Sequence, residues 1–88
     1  MDFSVHVEVS LRPGIADPQG ATIERSLPHL GFDGVAGVRV GKSIRFHVRA
    51  NDEQAARREV QDMCDRFLTN PVIEDAIVHV EAVEASPA

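Results

Sequence analysis

The sequence predicts an α+β domain in which a four-stranded antiparallel sheet carries two helices on one face, in the order β-α-β-β-α-β. Three observations predict this class: stretches where apolar residues recur at every second position, stretches where they recur at helical spacing, and turns rich in Pro or Gly between them. The chain has 88 residues, enough for a single domain with a thin core. We expect that domain over residues 1–83, followed by a frayed tail over residues 84–88.

The first strand is predicted from Phe3 to Arg12, because apolar and polar residues alternate there without interruption. A period of two is typical of a strand that buries one face and leaves the other polar. The Pro13–Gly14 pair ends the strand. The predicted inward face comprises Phe3, Val5, Val7, Val9 and Leu11.

The first helix is predicted from Asp17, as its N-cap, to about Leu30. The Asp17 carboxylate can accept a free amide of the first turn, and Pro18 suits the first helical position because no N–H is needed there. Pro28 removes a hydrogen bond of the last turn, which predicts a bend or a tightened turn. Gly31 supplies the left-handed C-terminal position. The predicted inward stripe comprises Ile23, Leu27 and Leu30.

A β-hairpin is predicted after the first helix. Val35–Val40 and Ser43–Ala50 read as two strands, and Gly41–Lys42 forms the turn between them. In the second of these strands the apolar positions are Ile44, Phe46, Val48 and Ala50. This pattern predicts that the two strands pair antiparallel.

A second helix and a last strand complete the chain. Asn51 or Asp52 caps a helix that runs from about Glu53 to Leu68, and the residue before Pro71 ends it. Its predicted inward stripe comprises Ala56, Val60, Met63, Cys64, Phe67 and Leu68. The last strand lies within Val72–Val83, and its inward positions are Ala76, Val78 and Val80.

This order of elements is typical of the ferredoxin-like arrangement, in which a hairpin links two β-α-β units. The right-handed crossover rule places the first and third strands side by side in the middle of the sheet. Because both helices are expected on one face, the opposite face stays open. Its mixture of charged, histidine and Ile side chains suits either water or a protein interface.

Composition excludes several classes of function. Nine basic residues against fourteen acidic ones give a net charge of −5, so we expect no nucleic-acid partner. No apolar run approaches the roughly 20 residues of a membrane span, so we expect no membrane association. A single cysteine excludes a disulfide framework within the chain. No signal peptide is visible at the amino terminus, and the cytoplasm is the expected location.

Candidate chemical groups are few. Cys64 falls on the apolar stripe of the second helix, where a thiol packs as a small hydrophobe. His6, His47 and His79 fall on the polar face, and a three-histidine metal site is conceivable there. Arg45 shares that face and would repel a cation, so we favour a face without a metal. No catalytic motif is evident, and the residues indicate a binding or assembly module.

Four stretches, read together, resemble the PurS family, the small subunit of phosphoribosylformylglycinamidine synthase. They are VHVEVSLRPGI at residues 5–15, DPQG at 17–20, VRVGK at 38–42, and the pair Met63–Cys64 with LTNPVIED at 68–75. The resemblance covers residues 3 to about 82 and predicts a PurS-like fold. It implies a subunit without catalytic residues or cofactor of its own.

The resemblance also implies a function. The synthase converts formylglycinamide ribonucleotide, ATP and glutamine to formylglycinamidine ribonucleotide, glutamate, ADP and phosphate, the fourth step of purine biosynthesis. The small subunit is expected to form a homodimer or higher homo-oligomer that bridges a large synthetase subunit and a glutaminase subunit. It would support the transfer of ammonia between them, and ATP and Mg²⁺ are implied only for the large subunit.

We expect two copies to pair through their sheets, and two loops to contact the larger subunits. The predicted interface residues are Arg12, Pro13, Gly14, Ile15, Asp17, Pro18, Gln19, Gly20, Asn70, Pro71 and Glu74. The prolines and Gly14 hold the first loop in one shape, and Ile15 is expected at its exposed tip. The alternative is a small-ligand-sensing regulatory dimer of the same topology, with the ligand at the dimer interface near the helix amino termini.

Overall fold

The computed structural model describes residues 1–83, and the predicted tail over residues 84–88 lies outside the described residues. The elements are β1 (Asp2–Leu11), α1 (Pro18–Ser26) with a 3₁₀ turn (Leu27–Leu30), β2 (Gly41–Arg49), α2 (Glu53–Met63) with a π-helical turn (Cys64–Leu68), and β3 (Glu74–Ala82). No helix among these residues has the length and apolar character needed to cross a bilayer.

Within residues 1–83 the sheet has three strands in the order β2-β1-β3, and β1 is antiparallel to both neighbours. Val5 of β1, for example, lies opposite Phe46 of β2 on one side and Val80 of β3 on the other. The prediction that the first strand lies beside the strand after residue 40 is therefore confirmed. The predicted four-stranded sheet is wrong.

The missing strand is the one predicted over Val35–Val40, which forms no ladder in the structure. Carboxylates of the first helical region take two of its amides instead. The Val38 amide donates to Oε1 of Glu24 at 2.9 Å, and the Val40 amide donates to Oδ2 of Asp17 at 2.8 Å. Gly37, with φ of 70°, also interrupts the extended run. The predicted Gly41–Lys42 turn is consequently the beginning of β2, so no hairpin forms there.

The core lies between the sheet and α2. Its buried side chains are Phe3, Val5, Val7, Val9, Ala56, Val60, Cys64 and Val80. The alternation predicted for β1 and most of the stripe predicted for α2 are confirmed. Phe67 was assigned to the same stripe but is 87% exposed. It lies in the π-helical turn, whose wider spacing takes it off a stripe drawn at α-helical spacing.

The first helix does not cover the sheet, which corrects the expectation of two helices on one face. Ile23 and Leu30, both predicted to point inward, are 41% and 70% exposed. Gly20 is the buried residue of α1, and it packs against the backbone at Val38. We call residues 18–40 the arm. Its predicted details are confirmed, because Asp17 caps α1, the turn at Pro28 tightens to 3₁₀ geometry and Gly31 is left-handed.

The face of the sheet away from α2 is polar, and we call it the open face. It is formed by Ser4, His6, Glu8, Ser10, Ser43, Arg45, His47, Arg49, Asp75, Ile77, His79 and Glu81. All of these are exposed except His6, which is half-buried. The structure therefore has one face covered by a helix and one face without a covering element among the described residues.

Candidate functional site

The two segments predicted to form an interface meet at one end of the sheet. The Arg12 amide, just after β1, donates to the carbonyl of Ile73 at 2.8 Å. Leu11 lies opposite Glu74 in the register, so the end of β1 and the beginning of β3 fall at the same edge. We call residues 12–17 and 70–74 the loop end. The structure thus brings the two predicted segments together, although their contacts with other subunits stay a prediction.

The first half of the loop end is held in shape by the arm. The Ile15 amide donates to the carbonyl of Arg12 at 3.1 Å, which closes a turn in which Gly14 has φ of 86°. The guanidinium of Arg39 donates to the carbonyl of Ile15 at 3.1 Å and to that of Arg12 at 3.4 Å. Ile15 is half-buried, which differs from the expectation that it lies at an exposed tip.

Asp17 joins the loop end to both ends of the arm. Its Oδ1 accepts the Gly20 amide at 2.8 Å, and its Oδ2 accepts the Val40 amide at the same distance. These backbone hydrogen bonds, Val40 first, hold the pKa of the Asp17 carboxyl below its ordinary value, because they stabilise the charged form. The nearby charge of Arg39 acts in the same direction. The Asp17 carboxylate is therefore a charged hydrogen-bond acceptor within the fold and not a free surface group.

Gly20 and Glu74 were also predicted to face a partner, but the structure gives both of them internal contacts. A Cβ on Gly20 would overlap the carbonyl oxygen of Val38, so the absence of a side chain here lets the backbone at Val38 approach α1 closely. Glu74 is half-buried, and its Oε1 accepts the Asn70 amide at 2.7 Å. Its Oε2 lies 3.8 Å from the Lys42 ammonium. Gly20 therefore shapes the arm from within, and Glu74 shapes the loop end.

The second half of the loop end is a capped turn. The Asn70 carbonyl accepts the amides of Ile73 and Glu74 at 3.1 and 2.8 Å, and its Oδ1 accepts the Val72 amide at 3.2 Å. These bonds leave Pro71 and Val72 exposed at the tip, and Val72 is 79% exposed. The side chains available to another molecule here are therefore short and mostly apolar.

Residues of the loop end, the beginning of the arm and the beginning of β2 border an open groove of about 550 Å³. Its lining includes Asp17, Pro18, Gln19, Lys42 and Glu74. On the other side, Nε of Arg12 lies 3.3 Å from Oδ1 of Asp75, and both side chains are about half exposed. An exposed ion pair of this kind contributes little to stability, so the Arg12 side chain is available to a carboxylate elsewhere.

The open face does not bring together the three histidines whose metal site the sequence left conceivable. His6 lies directly opposite His79 in the β1–β3 register, and their rings stack with centroids 5.6 Å apart. His47 lies opposite Ser4 and does not belong to this group. The third residue of the group formed by His6 and His79 is Glu8. Alternation along β1 places Glu8 on the same face as His6, but its approach to His79 depends on the register of β3, which alternation does not specify.

Cys64 lies in the core, as predicted, and is 1% exposed. Burial raises the pKa of its thiol, and the charge of Asp65 adds to that effect. A thiol in this setting is a poor nucleophile because its thiolate fraction at neutral pH is small.

Sequence reasoning missed an apolar surface on the arm. Its members are Ile23, Leu30, Phe32 and Val35, which are 41–70% exposed. Helical spacing had assigned the first two to the core, because periodicity identifies an apolar face and not what covers it. Such a patch is typical of an interaction surface.

These features define a small α+β domain with a three-stranded antiparallel sheet, one open sheet face and a projecting arm. The family model described as PurS, phosphoribosylformylglycinamidine (FGAM) synthase, matches residues 4–82. The chain therefore belongs to the PurS family.

Relatives and solved structures agree with this assignment. The chain is 40% identical over 88 residues to phosphoribosylformylglycinamidine synthase subunit PurS of Synechocystis sp., covering 98% of this chain and 88% of the relative. The crystal structure of Methanocaldococcus jannaschii PurS superposes with a TM-score of 0.83 at 36% identity, covering 93% and 99% of the two chains. A chain in the structure of PurLQS from Thermotoga maritima gives a TM-score of 0.83 at 35% identity, covering 91% and 98%.

Proposed function

We propose that this chain is the non-catalytic small subunit of a phosphoribosylformylglycinamidine synthase complex, bridging the synthetase and glutaminase subunits and supporting ammonia transfer. The observation that carries the proposal is the likeness, over nearly the whole length of both chains, to a chain in the structure of PurLQS. The complex acts in the fourth step of purine biosynthesis in the cytoplasm. ATP and Mg²⁺ are used by the large subunit, and this chain holds neither.

The loop end supports a contact with the larger subunits. Its backbone is fixed by the bonds from Arg12 to Ile73 and from Arg39 to Ile15, so little ordering entropy is lost when a partner binds. Its tip exposes Pro71 and Val72, and the guanidinium of Arg12 can bind a carboxylate through two parallel hydrogen bonds. The exposed apolar side chains of the arm offer a further surface for such a contact.

The open face supports the pairing of two copies in the complex. It carries cations such as Arg45 and Arg49 beside anions such as Glu8 and Glu81, so a second open face offers complementary charges. A chain of this size also buries a smaller fraction of its surface on folding than a larger domain does, which favours association. The resulting homodimer presents two loop ends, one for each of the larger subunits.

Reconstitution with the synthetase and glutaminase subunits of the same organism tests the proposal. Glutamine-dependent synthase activity should appear only when this chain is added, while turnover with ammonia needs no addition. If the chain changes neither activity and co-elutes with neither subunit, the proposed function is wrong. The ligand-sensing alternative would instead give a saturable rise in Tm with amino acids or nucleotides.

Variants test the contribution of the loop end. Ile15→Asp and Asn70→Ala should lower glutamine-dependent activity at sub-saturating amounts of the chain. Gln54→Ala, an exposed position at the beginning of α2, is the matched control and should behave as the parent chain. Full reconstitution by both loop variants would mean that the contact with the larger subunits lies elsewhere.

A further inference from the structure

We infer that His6, Glu8 and His79 bind a divalent transition-metal ion on the open face, with Zn²⁺ as the representative ion. This site goes beyond the proposed function, because nothing in subunit bridging or ammonia transfer requires a metal in this chain. It replaces the three-histidine site considered from the sequence, since the structure removes His47 from the group and adds Glu8.

The backbone places the three side chains together. His6 and His79 are directly opposite each other on neighbouring antiparallel strands, where side chains on one face approach most closely. Glu8 follows His6 by two residues on β1 and therefore points from the same face. The site rests on two paired strands, which are more rigid supports than loops.

The distances between the donor atoms fit a metal ion. Nε2 of His79 lies 3.4 Å from Oε2 of Glu8, and one donor atom from each of the three residues lies within 4.8 Å of the others. A tetrahedral ion with bonds of about 2.0–2.2 Å holds neighbouring ligand atoms about 3.3–3.6 Å apart. Glu8 and His79 are therefore already at ligand spacing, and a side-chain rotation within the group brings His6 to the same spacing.

The donor set selects the kind of ion. Two imidazoles and one carboxylate suit Zn²⁺, Co²⁺, Ni²⁺ and Cu²⁺ better than Ca²⁺ or Mg²⁺, which prefer oxygen ligands. The Ser43 hydroxyl lies 2.6 Å from Nε2 of His6 and orients that ring, as outer hydrogen-bond partners commonly orient metal-binding histidines. Three protein ligands leave the fourth position of a tetrahedral ion to water or to a group of another molecule.

Arg45 lies beside the proposed site, and its positive charge provides a second test of metal binding. It lies opposite His6 on β2, on the same face, so its guanidinium repels a bound cation. Glu8 supplies the compensating negative charge within the site, and the whole chain has a net charge of −5. Removing the charge of Arg45 should therefore tighten binding, whereas removing a ligand should weaken it.

The test is a Zn²⁺ titration of the full chain without a histidine tag, in competition with a chromogenic chelator. We expect one ion per chain for the parent protein. His79→Gln and Glu8→Gln should each weaken binding about tenfold or more, and Arg45→Gln should tighten it severalfold. His47→Gln is the matched control, because it removes an exposed histidine from the same face but outside the group, and its affinity should equal that of the parent.

Two results would overturn the site: absence of Zn²⁺ binding by the parent chain, or equal loss of affinity in His47→Gln and His79→Gln. All substituted positions are surface-accessible, and circular dichroism verifies that each variant keeps the parent fold. The titration uses the isolated chain and reads metal occupancy. Its failure is therefore distinct from a failure of the synthase reconstitution, which reads glutamine-dependent turnover.

Discussion

The Val40 amide donates a 2.8 Å hydrogen bond to Oδ2 of Asp17, while Oδ1 of the same carboxylate accepts the Gly20 amide. One side chain therefore caps the first turn of α1 and holds the chain where it enters β2. Since these points lie at the two ends of the arm, Asp17 closes the arm as a loop. The β1–β2 ladder brings these two ends near each other by pairing Ser10 with Gly41, and the Asp17 carboxylate then joins them directly.

Asp17→Asn should loosen the arm, because an asparagine side chain has one carbonyl oxygen and presents an amide to the second backbone donor. We expect faster hydrogen exchange at Val40 or Gly20, measured by NMR. Asp52→Asn is the matched control: Asp52 caps α2 by accepting only the Ala55 amide, and one oxygen is enough for that. Equal exchange in both variants would show that the double acceptance has no effect on the arm.

The arm should also loosen in acid. Because the folded pKa of Asp17 is lowered from its ordinary value of 3.8, its contribution to stability is present above that value. The contribution is lost as pH falls through the lower, folded pKa. NMR of the Val40 amide should show a change only below pH 3.8 in the parent chain and none of this origin in Asp17→Asn. A transition well above that pH would contradict the assignment.

Gly20→Ala should destabilise the chain, since the added Cβ overlaps the Val38 carbonyl and approaches the Asp17 carboxylate. Overpacking of this kind costs about 1–3 kcal/mol. Gly34→Ala is the control, because a Cβ there meets no atom within 4 Å. Urea denaturation gives both free energies of unfolding, and a stable Gly20→Ala variant would mean that the arm backbone can move away freely.

Val60→Ala should lower the free energy of unfolding by about 2 kcal/mol, because it removes buried methyl groups and leaves a cavity beneath the sheet. Phe67→Ala removes a larger side chain from the continuation of the same helix, but that side chain is 87% exposed. Its effect should stay within about 0.5 kcal/mol. A larger loss for Phe67→Ala would place that ring in the core after all.

The Cys64 thiol should resist alkylation in the native chain at neutral pH. Burial both raises the pKa of the thiol and blocks the reagent, so modification requires opening of the core. A thiol-specific reagent followed by mass spectrometry measures the rate, and Val60→Ala should increase it by making that opening more frequent. Native reaction at the rate of the urea-unfolded chain would contradict the burial of Cys64.

The parts of the fold that sequence reasoning predicted are those specified by local rules. β1 follows from strict alternation, the N-cap at Asp17 follows from hydrogen-bond chemistry, and Gly31 follows from its freedom at positive φ. The cap of α2 was predicted at Asn51 or Asp52, and the structure shows Asp52 in that role. The core positions on β1 and most of those on α2 follow from the same periodicities. In each case the structure is determined by contacts between residues close in sequence, or by the burial of one apolar face that any amphipathic strand or helix requires.

The parts that failed depend on distant contacts. The Val35–Val40 stretch has a strand-like composition, but the carboxylates of Glu24 and Asp17 take its amides. Ile23 has the spacing of a core residue on a helix that does not reach the core. The loop end was foreseen as two segments, yet the contact between them depends on the register of β1 with β3. The same register decides which histidine joins His6, and alternation alone does not specify it.

The strand order has a consequence for how the molecule folds. The central strand β1 is translated first, and one of its two neighbours, β3, is translated last, so Phe3 must wait for Ala82 to complete its ladder. Until then the apolar side of β1 has no complete cover. Long chain closures of this kind slow the folding reaction relative to helical domains of equal size. The sheet is therefore completed after synthesis of nearly the whole domain, and its central strand is exposed to misassociation throughout that interval.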